Sequence, residues 1–194
     1  MKFYFLLFDN FESLDLFGPV EIFGRIPEAE LHDVSLEGGI VTSGQSARIE
    51  TEKAEPLPPD AVLLIPGGMG TRTLVKDQGF LAKLKELADS AAYVLTVCTG
   101  SALLAAAGIL GGTRATSNKF AFDWVRSTGE AKWIGKARWV KDGKYYTASG
   151  VSAGIDMALG FAADHYGWEA AAENARRAEY IWNEDPENDP FAVL

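Results

Sequence analysis

The chain has a single cysteine, Cys98, and two histidines, His32 and His165. One cysteine excludes an internal disulfide framework, and a free thiol suits a reducing compartment. No His, Cys and carboxylate grouping has the spacing of metal ligands, and neither a metal nor another cofactor is expected. Cations are scarce as well: 18 Lys and Arg stand against 27 Asp and Glu, for a net charge of −9. Nucleic-acid affinity rests on cationic side chains that displace counterions, so a nucleic-acid partner is not expected. Long hydrophobic runs are missing too. The apolar N-terminus reaches only Phe8 before Asp9 ends it, short of signal-peptide length and with no small-residue cleavage site after it. Gly and charged residues interrupt every other candidate, which excludes a membrane-spanning helix and makes a cytoplasmic location the expectation.

What is present reads as one α/β domain over residues 1–194, long enough to bury a core without staples. Apolar strand-like runs alternate with helix-like segments: Phe3–Phe8 then Pro19–Gly24, Ala61–Ile65 then Phe80–Ala88, Ala92–Val97 then Ser101–Ala107. That alternation is the mark of a mostly parallel sheet with helices on both faces. Val62-Leu63-Leu64-Ile65 is apolar throughout, as a strand buried on both sides must be. Asp142-Gly143 is a hairpin turn signal between two edge strands, and Val151–Tyr166 has helical spacing. The acidic, proline-containing stretch Asn183–Asp189 reads as a surface segment.

Cys98 sits where the β-type run Tyr93–Val97 turns into the helix-forming run Ser101–Leu104. Helix N-termini carry unpaired N–H groups and partial positive charge, so a thiolate placed there is stabilised and its pKa is expected to fall. The plainer reading, a small buried hydrophobe, stays open on these grounds alone. In an open α/β sheet ligands collect at the carboxyl ends of the strands. Two further loops there are candidates. Asp15 stands in apolar company before Gly18-Pro19, read as a helix start, where it serves either as a cap or as an acid. Gly67-Gly68 follows a buried strand, and paired glycines either make a tight turn or bring backbone N–H groups close to a ligand, as an oxyanion hole requires. Thr99, directly after the thiol, can cap the helix or hydrogen-bond a carboxylate or substrate. His32 and His165 neighbour no strand end, so a Cys-His pair is poorly supported.

Taken in order, Leu14-Asp15-Leu16-Phe17-Gly18-Pro19, Ile65-Pro66-Gly67-Gly68, Val97-Cys98-Thr99-Gly100-Ser101, Arg114-Ala115-Thr116-Ser117 and Gly150-Val151-Ser152-Ala153-Gly154 resemble the ThiJ/PfpI superfamily and, within it, its isocyanide hydratase branch. The resemblance implies a flavodoxin-like sandwich with the cysteine on a strand-to-helix elbow, a homodimer, and a small-molecule substrate. It implies Cys98 as nucleophile, Asp15 as the facing acid, Thr99 as an assisting group, backbone amides of Gly67 and Gly68 toward the substrate, and Asn118 and Ser152 as candidates for the pocket wall. Asn118 stands where many relatives carry a histidine. Protease-like and glyoxalase-like members generally use that histidine, so its absence favours hydration of an isocyanide, which needs one thiolate and one acid but no protonated leaving amine. A glyoxalase or glycation-repair activity is the alternative within the fold. A cysteine redox sensor is the alternative outside enzymology.

Overall fold

The computed structural model describes residues 1–193. The first half of the chain runs β1 Lys2–Leu6, α1 Ser13–Phe23, β2 Glu30–Ser35, β3 Gly39–Thr42, β4 Arg48–Lys53, β5 Val62–Ile65, α2 Thr71–Leu74 and α3 Gln78–Ser90. The second half adds β6 Tyr93–Thr96, α4 Gly100–Ala106, β7 Arg114–Ala115, α5 Phe122–Arg126, β8 Lys132–Trp133, β9 Trp139–Asp142, β10 Tyr145–Ala148, α6 Ala153–Tyr166 and α7 Trp168–Arg177. Eight strands form one sheet in the order β3-β4-β2-β1-β5-β6-β10-β9. The chain has the flavodoxin-like arrangement expected, a mixed sheet with helices on both faces.

The pairing decides where a site can form. β1, β5, β6 and β10 are consecutive neighbours and all parallel, with Phe3 opposite Val62, Leu64 opposite Leu95 and Tyr146 opposite Leu95 in register. Four successive loops therefore leave the same edge of the sheet. Only the margins are antiparallel: β3 against β4, and β9 against β10 through the expected Asp142-Gly143 hairpin. β5 is buried at every position, which is why it reads as an unbroken apolar run.

An aromatic cluster fills the core where β1, α1 and α6 meet. Phe161 of α6 lies edge-on to Phe3, Phe23, Tyr93 and Tyr146, with centroids 6.1, 5.8, 5.4 and 5.2 Å away. Edge-to-face rings gain from their quadrupoles as well as from burial. Phe161→Leu is expected to lower unfolding stability by about 1 kcal/mol and Tm by about 3 °C, read by thermal denaturation.

Two expectations are corrected here. Helix α1 begins at Ser13, so Gly18-Pro19 lies inside it and not at its start. Pro19 has no N–H for the carbonyl of Asp15, and Gly18 admits a close approach by Ile155, whose Cγ1 would be 2.7 Å from a Cβ there. Packing against α6 keeps this helix intact through a proline that local sequence reads as a boundary. Secondly, Asn183–Asp189 is not merely surface. The Asp189 side chain is fully buried, and Arg138 N donates to the carbonyl of Pro186 at 2.7 Å. A four-charge cluster holds the tail: Arg138 bonds Asp156 Oδ2 at 2.8 Å, its Nη1 lies 3.8 Å from Asp189, and Lys119 Nζ lies 3.7 Å from the same carboxylate. Burial pulls the Lys119 ammonium down to about 8 despite Asp189 beside it. Among the described residues no helix is long and apolar enough to cross a membrane.

Candidate active site

The four parallel strands deliver four groups to one place. Asp15 comes from the helix after β1, Gly67 and Gly68 from the loop after β5, Cys98 and Thr99 from the turn after β6, and Ser149–Ser152 from the turn after β10.

Cys98 sits on a strained elbow, with φ of +56°. A left-handed non-glycine residue costs about 1–2 kcal/mol and persists only when its surroundings over-determine it. They do so here. Cys98 N donates to Ser149 O at 2.8 Å, while its carbonyl accepts from Ser117 Oγ at 2.8 Å and from Ser101 Oγ at 3.2 Å. The helix that follows must start hard against β5, because a Cβ on Gly100 would overlap the carbonyl of Ile65. Val151, which comes next to the thiol from the β10 side, is also left-handed, with φ of +37°.

Asp15 is fully buried. Its Oδ2 accepts from Gly67 N at 2.8 Å, and its Oδ1 has no hydrogen-bond partner among the described residues. Burial raises its pKa well above the ordinary carboxylate range, the Gly67 N–H opposing that only in part. Burial and the Asp15 charge together push the Cys98 thiol up to about 12, against the opposing backbone N–H groups of Thr99 and Val151. The expectation of a depressed thiol pKa is therefore corrected. Helix α4 has only 7 residues, and desolvation outweighs its terminus. Acid and thiol act on each other: the Asp15 charge pushes the thiol up, while a hydrogen bond from the thiol opposes part of the rise in the acid.

The glycine amides also have a different role from the oxyanion hole expected. Gly67 N–H is taken up by Asp15, and Gly68 N donates to Thr99 Oγ1 at 3.0 Å. Thr99 Oγ1 in turn lies 3.1 Å from Thr71 Oγ1. These groups orient the acid and the threonine. Absence of a side chain at Gly67 is required: a Cβ there would lie 2.5 Å from Thr99 N, 2.7 Å from Thr99 Oγ1 and 3.0 Å from Asp15 Oδ2. Gly67→Ala is expected to reduce kcat/KM at least a hundredfold by displacing both side chains while the fold persists, read by steady-state kinetics alongside circular dichroism.

Asn118 and Ser152 both line a cavity of about 660 Å³ beside this elbow, together with Gly150 and Val151. Asn118 Oδ1 caps the following turn by accepting from Ala121 N at 2.9 Å. The histidines are elsewhere: His32 stacks on Tyr4 at 4.8 Å, and His165 packs 4.2 Å from Phe161. Of the aromatic residues, Phe120 and Phe191 line this cavity, whereas Trp139, Trp168 and Trp182 line a second one with Val140 and Lys141 of β9. Sequence reading missed Ser149, Val151 and Ser117, which act through backbone atoms or a hydroxyl on a backbone carbonyl. A Gly-Val-Ser turn after a strand was the available signal.

Residues 1–164 match the DJ-1/PfpI family. The chain is 36% identical over 196 aligned residues to a protein named isonitrile hydratase from Pseudomonas putida, covering 98% of this chain and 85% of that one. It is 29% identical to a protein named Deglycase TK1284 from Thermococcus kodakarensis, over 76% of this chain and 89% of the relative. Among solved structures, a ThiJ/PfpI family protein from Pseudomonas syringae superposes with a TM-score of 0.84 at 31% identity, over 92% of this chain and 74% of that one. Drosophila melanogaster DJ-1beta superposes with a TM-score of 0.76 at 18% identity, over 93% and 98%, a likeness of fold.

Proposed function

The chain belongs to the DJ-1/PfpI family, and from that premise we propose that it is an isocyanide hydratase, adding water to R–N≡C to give the N-substituted formamide R–NH–CHO. The observation that carries this reading is the pairing of Cys98 with a fully buried Asp15 whose pKa burial raises and whose Oδ1 has no geometric hydrogen-bond partner among the described residues, with both histidines elsewhere. The whole-length similarity to an isonitrile hydratase supports it.

An isocyanide carbon accepts both a nucleophile and a proton. In the reactive form the pair holds one proton on Asp15 and a thiolate on Cys98. The thiolate attacks that carbon while Asp15 delivers its proton to the same atom, giving a thioimidate, R–N=CH–S–Cys, and an Asp15 carboxylate. The carboxylate takes a proton from water as the hydroxide adds to the carbon, then passes it to nitrogen. Collapse forms the carbonyl, returns the hydroxyl proton to Asp15 and expels the Cys98 thiolate. Water alone is consumed and the pair ends as it began. Thr99 and Val151 contribute N–H groups that favour the thiolate at the first and last steps. Hydrolysis of an amide needs a proton for a departing amine, and no histidine stands here to give it.

Incubating the purified protein separately with an aromatic isocyanide and with methylglyoxal, and following formamide and lactate, tests the reading. Formamide production that disappears in Cys98→Ala supports it. Lactate without formamide overturns it in favour of the glyoxalase or deglycase class that the more distant relatives represent. The homodimer is part of the same reading, and light scattering after size exclusion gives its mass.

A further inference from the structure

The cavity beside Cys98 is closed on one side by the C-terminal tail. Its walls include Lys119, Phe120, Val151, Ser152, Phe191 and Val193. Its lining includes Ser149, whose carbonyl accepts from Cys98 N, and Val151, whose N–H faces the thiol, and the exposed area of that lining is mostly apolar. Two of those walls, Phe191 and Val193, follow directly on the Asn183–Asp189 stretch that reads as a surface segment, and the end of that stretch is held in place. Asp189 Oδ2 accepts from Ser149 Oγ at 2.7 Å, and Asp189 Oδ1 accepts from Phe191 N at 3.1 Å. Val193 N donates to Gly135 O at 3.2 Å. Ser149 is also the residue whose carbonyl holds Cys98 N. A single buried carboxylate thus ties the aromatic residue to the turn that fixes the nucleophile. Phe191 is nevertheless 69% exposed and Phe120 wholly exposed, which for two large apolar side chains at a cavity mouth leaves their faces free to take up an apolar group.

We infer that the tail is a specificity element of the active site, with Phe191 as the residue that receives a bulky apolar N-substituent of the isocyanide bound at Cys98. This rests on the hydratase reading for the substrate, while the placement of Phe191 stands on the geometry alone. The reacting group, N≡C, is linear and small. What the enzyme can discriminate is therefore R, and Phe191 and Phe120 present large apolar faces in the cavity lined by the turn, Ser149–Ser152, that holds Cys98. A residue that binds R without touching the reacting carbon changes KM more than kcat.

The test compares the wild-type protein with Phe191→Ala and Phe191→Tyr on phenyl and methyl isocyanides. The ratio of kcat/KM for phenyl over methyl is expected to fall about tenfold in Phe191→Ala, chiefly through KM, and to recover in Phe191→Tyr. Equal losses for both substrates, or an unchanged ratio, would overturn the assignment. A parallel measurement does not depend on the reaction. Cys98 is the sole cysteine, so its alkylation rates by N-phenylmaleimide and N-methylmaleimide report access through the same mouth. Their ratio should fall similarly in Phe191→Ala, and an unchanged ratio refutes the tail's role. A wild-type protein that hydrates neither isocyanide while showing the alkylation shift overturns the hydratase reading and leaves the tail as the wall that selects apolar electrophiles. Phe191 is largely exposed, and its replacement does not threaten the fold.

Discussion

Asp15→Asn is expected to reduce isocyanide hydration by at least about a thousandfold while making the protein more stable at neutral pH. The loss follows from the proton inventory. Asn has the shape to keep the Gly67 N–H bond at 2.8 Å, so the elbow remains in place, but it can neither give a proton to the isocyanide carbon nor take one from water. The stability gain follows from linkage. Burial raises the Asp15 pKa in the folded state above the ordinary carboxylate value of 3.8. Between that value and the raised one the native state holds a proton that the unfolded state has lost, so wild-type stability falls as pH rises through this window. Asn carries no such cost. The difference in Tm between Asp15→Asn and wild type should be absent below about pH 3.8, grow with rising pH and level off above the folded-state pKa. The same variant removes the negative charge that helps push the thiol up, so alkylation of Cys98 should begin at lower pH. An active Asp15→Asn protein removes the single-carboxyl mechanism, and a variant less stable at pH 7 removes the account of the buried acid.

Arg138→Met is expected to cost about 3–5 kcal/mol of unfolding stability, a fall of about 10 °C in Tm, read by urea and thermal denaturation. Breaking a buried pair is more damaging than never having one, because the partner charge stays behind without compensation. Arg138 serves two carboxylates at once: Nε bonds Asp156 Oδ2 at 2.8 Å, and Nη1 lies 3.8 Å from Asp189 Oδ1. Its Nη2 also donates to Ser152 Oγ at 3.1 Å. Asp156 keeps Tyr180 and the amide of Asn183, both at 3.0 Å, which hold its Oδ1 but add no positive charge. Arg138→Lys keeps a charge yet cannot fork between two acids, so it should recover only part of the loss. A Met variant as stable as wild type would show that the cluster does not hold the tail.

The sheet was legible because its central strands are short and apolar on both faces, as Val62–Ile65 is, and because Asp142-Gly143 signals a hairpin without ambiguity. The positions of Cys98 and Asp15 at strand ends were legible for the same reason, since the loops after parallel strands share one edge. What escaped notice depends on contacts distant in the chain. Pro19 reads locally as a boundary, and only Ile155 packing against Gly18 shows why the helix runs through it. Asn183–Asp189 is acidic and proline-containing, yet Arg138, Lys119 and Ser149 make Asp189 an interior residue. The thiol's ionisation was misread because a helix terminus is visible in sequence and burial is not. The glycine pair was located correctly but its N–H groups turn to Asp15 and Thr99, a direction that spacing cannot give.

The hold on the backbone of Cys98 comes from residues that follow it in the chain. Cys98 N is fixed by Ser149, its carbonyl by Ser117 and Ser101, and Ser149 by Asp189. During synthesis the thiol therefore leaves the ribosome long before the groups that give it geometry. Until β10 docks beside β6 and the tail closes, Cys98 is an ordinary thiol on an unfinished sheet, without the bond from its N–H to Ser149 or the facing N–H of Val151. The shape of the site is thus a property the chain acquires late, with the docking of its last strand.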